Sequence, residues 1–554
     1  MTFLNTNINN YLTTALLLFV FLVSDISANQ NDDVTEEVYA DVSDDQIDNS
    51  QTSSAQESTF DVWEYQIEGN TILDSKDIEK AVYAFLGPEK SLDVVEQART
   101  SLEERYRSRG YATVLVNIPE QNVDSGIIKL QVDEAVIDRV KVTGSRYFSN
   151  RRIKKLVPSL REDQVPNVKE IQEDLALLNS RSADRTITPV IRPGKTPGSV
   201  EMELKVKDNL PLHYTLEVND RATADTTDYR VNTSISFNNL WQKEHGATLS
   251  FQTAPKDRDE VDVWSLNYLY KPEWSRNLFL FYAVDSNSDV ATVGDLSVVG
   301  QGKIFGMRAI VPLSPAGDLY HNIIAGFDYK DFDDDIILGG LASDDLAQEV
   351  DYGVFTASYD GSLTSSETPT RFSIGTKFSM RGLFSTDNEF ERKRVGTDPN
   401  FFIVNAGISK SFPISNLNLS TRVSGQFTGE PLISNEQFSM GGQSSVRGYL
   451  ESDVLVDLGL VASTELQYQP LFVDSYDWLS FFQWYTFADW ATGELREALP
   501  EQEDKFDLLG VGAGVRFTLW DFIEASAAWA RPLKGTNATE TNDDRMHISV
   551  KYRR

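Results

Sequence analysis

From about residue 210 to the C-terminus, apolar and polar side chains alternate with a period of two. In "LNLSTRVSGQFTG", Leu417, Leu419, Val423 and Phe427 share one face, and Asn418, Ser420, Arg422, Ser424 and Gln426 share the other. In "RFSIGTKFSM", Phe372, Ile374 and Phe378 oppose Arg371, Ser373, Gly375 and Lys377. Such alternation marks strands with one apolar side. Sixteen runs of this kind begin near residues 213, 229, 247, 261, 277, 303, 319, 350, 369, 400, 417, 458, 478, 507, 523 and 545. A soluble sandwich alternates in the same way, so the period alone leaves two folds open. Connection lengths favour one of them. "KPEWSRN", "SPAGD", "ISN" and "WDF" are short, whereas "DDDIILGGLASDDLAQE", "FSTDNEFERKRVGTDP" and "ELREALPEQEDK" are long and charged. Short turns on one rim and long loops on the other are expected of an outer-membrane barrel. Trp241, Trp274, Trp478 and Trp520 fall near predicted strand ends, where an interfacial belt would lie, although core packing accounts for them almost as well.

Between residues 60 and 208 the pattern differs. Trp63, Tyr65 and Ile67 alternate in a strand; Asp74 or Ser75 then caps a helix carrying Ile78, Val82, Phe85 and Leu86 on one face, stopped by Gly87-Pro88. A second helix presents Leu92, Val95, Leu102 and Tyr106 and closes at Gly110; "YATVLVNIPE" and "GIIKLQVDEAV" follow as strands. The same order recurs from "IDRVKVTG" through helical stretches around 150 to 157 and 168 to 179, to "TITPVIRPG" and "SVEMELKVKD". Two small α+β units are predicted, 60–136 and 137–208. Their strand edges could accept an extended peptide, or the units could be spacers.

The N-terminal segment carries an apolar run, Leu12 to Val23, followed by Ser27-Ala28, and reads as a signal peptide over 1–28. Residues 29–59 contain nine acidic and no basic residues and read as a disordered acidic linker. No later segment holds the roughly 18 consecutive apolar residues of a membrane helix, so a membrane form must be a closed barrel, 209–554. The formal charge of −33 repels phosphate backbones and argues against nucleic-acid partners. No cysteine is present, the four histidines are scattered, and no nucleotide loop or nucleophile elbow appears. No enzyme, metal or cofactor is expected.

One stretch stands out. "GGQSSVRGYLESD" lies between the eleventh and twelfth predicted strands, in the sixth long loop, with a lone Arg447 among small residues. A solvated surface loop is the plain reading. The thirteenth strand, "FFQWYTFADWATG", offers another: Phe482, Trp484 and Ala488 toward lipid turn Asp489 toward the lumen, where an inward-folding arginine would find a carboxylate. Glu465 is also expected to face the lumen. In "GVGAGVRF", Gly510, Gly512 and Gly514 alternate onto the lumenal side with Arg516, leaving room for an inserted loop.

"YRSRGYATVLVNIPEQNVDSGIIKLQVDEAVIDRVKVTG" and "ALLNSRSADRTITPVIRPGKTPGSVEMELKVKD" resemble the paired POTRA domains of two-partner secretion transporters, the haemolysin secretion/activation family. "QFSMGGQSSVRGYLESD" resembles that family's VRG(F/Y) loop, and "AWARPLKG" its penultimate strand. The resemblance implies a sixteen-stranded outer-membrane barrel behind two periplasmic POTRA domains. It further implies that the loop residues Val446, Arg447, Gly448 and Tyr449 enter the barrel, with Arg447 paired to Asp489 of an F-x-D segment that includes Phe487. "FADWATG" departs from the family in placing its glycine farther out. The implied function is export of a large secreted exoprotein, with outer-membrane lipid and the barrel assembly machinery as further partners. A factor that assembles other barrels, of the BamA/TamA type, shares the loop motif and is the alternative; two POTRA domains favour export.

Overall fold

The computed structural model describes residues 59–554 apart from 225, 289, 294–295, 334–336, 339–340, 343–348, 365–367, 471–475 and 501. The expected signal peptide and nearly all of the acidic linker lie outside the described residues. Two compact units are present, divided between Pro211 and Leu212.

The first unit contains the two α+β modules. In the first, a short strand β1 (Phe60–Val62) precedes β2 (Glu64–Glu68), α1 (Ser75–Val82), β3 (Gly87–Lys90), α2 (Leu92–Ser108), β4 (Val114–Asn117) and β5 (Ile127–Glu134). β2 runs parallel to β5, which pairs antiparallel with β4; β1 and β3 pair separately. Tyr65, Val95, Leu102, Tyr106, Val116, Ile128 and Leu130 form the core between sheet and helices. Asp74 is the α1 cap, accepting from the Asp77 amide at 2.8 Å. Two apolar residues expected in this core are outside it: Trp63 is 61% exposed and Leu92 65% exposed. Trp63 sits at the break between β1 and β2, and Leu92 is the first residue of α2, so neither is carried onto the sheet.

The second module repeats this topology. β6 (Val136–Thr143), α3 (Asn150–Lys155), α4 (Val168–Ser180), β7 (Arg185–Pro193) and β8 (Ser199–Asp208) follow in order, with β6 parallel to β8 and β7 antiparallel to it. Ile137, Ile153, Ile171, Leu175, Leu178, Met202 and Leu204 are buried between its layers. The modules are joined where α2 ends: Gly110, at φ +97°, turns its carbonyl to the Val168 amide at 2.8 Å, and the Asn167 side chain donates to Arg109 O at 3.2 Å. Only glycine adopts this backbone without strain.

The second unit is a closed barrel of sixteen antiparallel strands. The first strand is Leu212–Asn219 and the last Arg545–Arg553, which closes on the first from Ser549 opposite Asn219 to Arg553 opposite Thr215. On the first strand Leu212, Tyr214, Leu216 and Val218 are 41%, 38%, 46% and 42% exposed, while His213, Thr215, Glu217 and Asn219 turn inward. Ile235, Leu249 and Leu266 extend this exposed apolar surface. A sandwich would bury that face against a second sheet; a cylinder leaves it for lipid. Trp241, Trp274, Trp478 and Trp520 are all exposed and all stand at the short-turn rim, which makes them a belt at one interface. Among the described residues no helix is long and apolar enough to cross a membrane.

In the first module, Asp77 accepts hydrogen bonds from Arg105 and, at 2.6 Å, from Arg109. These guanidiniums, Arg105 foremost, hold its carboxyl below its ordinary value. A depressed native pKa gives stability that is complete above the unfolded value and is lost as pH falls through the native one. Acidification should therefore lower hydrogen-exchange protection across residues 75–108. Asp77→Asn should lower protection at neutral pH and lose this acid step; an unchanged acid step in the variant would contradict the assignment.

Candidate functional site

The site is built on three adjacent strands, the twelfth (Leu458–Tyr468), thirteenth (Leu479–Glu494) and fourteenth (Lys505–Leu519). Their register sets Ser463 opposite Asp489 and Asp489 opposite Gly510; the next lumenal row is Glu465, Phe487 and Gly512, and the next Gln467, Tyr485 and Gly514. The glycines explain how aromatic rings fit there. A Cβ on Gly512 would lie 2.5 Å from Phe487 Cζ, and one on Gly514 2.6 Å from Tyr485 Cζ. The room expected for the loop at these two positions is taken by the wall's own rings, and only Gly510 receives the loop: its Cβ would lie 2.0 Å from Arg447 O.

Each ring carries a guanidinium. Arg447 Cζ lies 3.6 Å from the Phe487 centroid, and Arg516 Cζ lies 3.8 Å from that of Tyr485. Arg447 Nε donates to Asp489 Oδ2 at 2.6 Å, Nη2 to Oδ1 at 2.8 Å, and its backbone amide to Oδ2 at 3.1 Å. Ser463 Oγ donates to Asp489 Oδ1 at 2.6 Å. The remaining arm of the fork, Nη1, pairs with Glu465, which also accepts both Nη1 and Nη2 of Arg516 at 2.8 Å. Asp489, Arg447, Glu465 and Arg516 thus form a chain of alternating charge that sums to zero. Arg447 is 5% exposed and Asp489 0%. The sequence expectation of one wall carboxylate is corrected to two, because the planar fork has donors on two edges and burial requires both to be met.

The neighbours of Arg447 pack the loop onto the same wall. Val446 and Tyr449 are fully buried with Met440, Val456, Ala491 and Leu508. Tyr449 Oη donates to Lys534 O at 2.7 Å and accepts from the Leu509 amide at 3.1 Å. Gly448, at φ +98°, gives its amide to His547 Nε2 at 3.0 Å, and His547 Nδ1 faces Asp220 at 3.1 Å.

The comparisons with known proteins fit this arrangement. Residues 60–135 match the ShlB-type POTRA domain, and residues 352–517 match the haemolysin secretion/activation protein family ShlB/FhaC/HecB. Each match covers one part of the chain, the first module and the middle of the barrel. Among similar proteins, the outer membrane transporter CdiB of Dickeya dadantii is 22% identical over 435 residues, 74% of this chain and 72% of that one. The heme/hemopexin transporter protein HuxB of Haemophilus influenzae is 21% identical over 462 residues, 81% and 79% of the two chains. The solved structure of CdiB from Escherichia coli aligns with a TM-score of 0.61 at 17% identity, over 91% of this chain and 93% of that one, a likeness of fold. The chain is an outer-membrane transporter with its POTRA region in the periplasm.

Several residues that seat the loop had escaped the sequence reading. Glu436, in a single 3₁₀ turn (Ser434–Glu436), has a fully buried side chain that pairs with Lys330, accepts from Tyr352 Oη at 2.8 Å and lies 3.7 Å from Lys377, on the seventh, eighth and ninth strands. Asp457 binds Arg394 through Nη1 and Nη2 at 2.7 and 3.0 Å and the Arg496 amide at 2.6 Å. Its signal was present: "VLVDLGLV" sets one charge in an apolar run, which needs a partner. Gly459 and Gly493 are paired, and a Cβ on either would strike Val456. The glycine of "FADWATG" stands where it does because the loop's small hairpin (Phe438–Met440 with Val454–Val456) packs there.

Replacing Arg447 by Ala leaves Asp489 buried without its cation, while Glu465 keeps Arg516, and should destabilise the seated loop by about 3–5 kcal/mol. Lys, with one point charge, should recover only part of this. Gly510→Ala should unseat the loop with every charge still in place, because its Cβ meets backbone rather than a mobile side chain. Limited proteolysis within residues 441–453 of detergent-purified barrel reads both effects; resistance equal to wild type in Gly510→Ala would refute the close approach.

Proposed function

We propose that this outer-membrane transporter receives an unfolded secreted partner protein at its POTRA modules and passes it through the barrel to the cell surface, with the loop carrying Arg447 as the element that keeps the lumen closed between rounds. The observation that carries this reading is the four-charge chain of Asp489, Arg447, Glu465 and Arg516, buried at its Asp489–Arg447 end and opening toward the lumen at Arg516. A passive pore has no use for a loop held across its lumen by charges whose removal is so costly. The edge strands β4 and β7 leave backbone groups free to pair with an extended chain, which suits modules that hold a partner before it folds. Val446, Gly448 and Tyr449 orient the loop, and Phe487 supplies the ring on which the guanidinium rests. Lipid covers the outer apolar face, and the barrel assembly machinery inserts the chain. No catalytic step is required: folding of the partner outside the cell gives the passage its direction.

Cells carrying Arg447→Ala or Asp489→Asn should insert a heat-modifiable barrel at wild-type level and export little or none of the secreted partner protein. Steady-state levels of other outer-membrane barrels should not change. Normal export by both variants would remove the loop from the mechanism, and a fall in other barrels with export intact would favour an assembly factor.

A further inference from the structure

The lumen wall is divided by charge. On its sixth to ninth strands (Gly302–Pro312, Leu319–Phe332, Val350–Leu363 and Thr370–Ser379) two inward cations are engaged: Arg308 with Asp328 at 2.6 Å, and Lys330 with Glu436 of the loop. On the twelfth to fourteenth, Asp489 and Glu465 are engaged by Arg447. The loop is therefore fastened to these two sectors, and through Gly448 to His547 of the last strand as well.

A third sector is different. Lumen-facing positions of the second, third and fourth strands (Arg230–Leu240, His245–Thr253 and Asp262–Tyr270) carry Asn232, Ser234, Thr248, Ser250, Gln252 and Asn267 in mutual register. The single inward charge on these three strands is Arg230, which is turned aside to Thr227 O at 2.5 Å. A cavity of about 720 Å³ lies against them; the charges that also line it are each engaged elsewhere, Glu217 with Lys551 at 4.0 Å, Arg308 with Asp328 and Arg221 with Gln443. Within this sector Gln252 Oε1 and Ser265 Oγ, on side chains 5% and 3% exposed, have no hydrogen-bond partner in the structure.

We infer that this neutral face is the track along which an extended polypeptide crosses the barrel once the loop is released from its Arg447 and Glu436 contacts at the other sectors. This inference rests on the export reading and adds to it where the passing chain lies. The chemistry recognised is the peptide backbone itself. Amide and hydroxyl side chains both donate and accept, so they meet N–H and C=O groups of any sequence and exchange partners as the chain slides. Fixed charges would instead hold some segments and repel others. A barrel's apolar band is about 25 Å tall, which an extended chain crosses in about seven residues, few enough for one row of such side chains to accompany it.

The protein has no cysteine, so single thiols can be placed without background. Ser250→Cys, Asn267→Cys and, as the contrasting site, Thr356→Cys, which shares a lumenal row with Arg308 and Lys377, would each be combined with Arg447→Ala, which releases the loop, and reconstituted in planar bilayers. Each would be treated with a bulky methanethiosulfonate, labelling being read by mass. The probe is a soluble thirty-residue Gly/Ser/Asn peptide added on the POTRA side. Modification at 250 or 267 should lower conductance by about threefold or more and abolish peptide blockades, because it narrows the pore lining, whereas Thr356→Cys should behave as the unmodified protein whether or not it labels. Loss of blockades only on modification at 356 would move the track to the loop side and overturn the inference with export intact. An absence of peptide blockades in every protein, including one with Arg447→Ala alone, would overturn it together with the export reading.

Discussion

A guanidinium cannot be taken out of water into a barrel wall unless every edge of it is met. That constraint orders the region around Arg447. Asp489 takes one edge, Glu465 the other, Phe487 the face, and Arg516 returns the charge that Glu465 would otherwise leave unbalanced. In a low-dielectric setting such a set is stable only when complete, since each unmet member carries its full desolvation cost. The same property makes it suited to a closure: held firmly when whole, and released as a unit once one contact is broken.

Backbone space matters as much as charge. Gly510 admits the loop's main chain, Gly512 and Gly514 let Phe487 and Tyr485 lie flat, and Gly459 with Gly493 admits the small hairpin at the loop's base. None of these glycines is at a turn, and their use is the missing side chain. At five points the wall is thinned so that a folded loop can sit against it at van der Waals distance.

The loop also crosses the lumen. Glu436 reaches Lys330 and Tyr352 on one side, while Arg447 reaches the thirteenth strand on another, and Asp457 ties the end of the loop to Arg394 and Arg496 in neighbouring long connections. Fastening at several separate places keeps the described residues of the loop off the second to fourth strands, and their neutral lining follows from the same economy: a wall that need not bind the loop need not carry charge.

The sixteen strands and the rim carrying the short turns were legible in the sequence, because a sheet with lipid on one side and water on the other imposes a period of two on every strand, and tight turns and long loops differ in composition. The pairing of Arg447 with Asp489 was legible too, through the side on which Asp489 falls and the resemblance of the loop. Glu465's bridge to Arg516, the hold of Glu436 on Lys330 and the different uses of Gly510 and Gly512 were not. Those depend on which strands stand beside one another at the same height, a matter of register and closure. Residues 106 apart, such as Lys330 and Glu436, leave no local pattern when they meet. Periodicity along one chain records which way a side chain points; what it meets there is decided only when the cylinder closes.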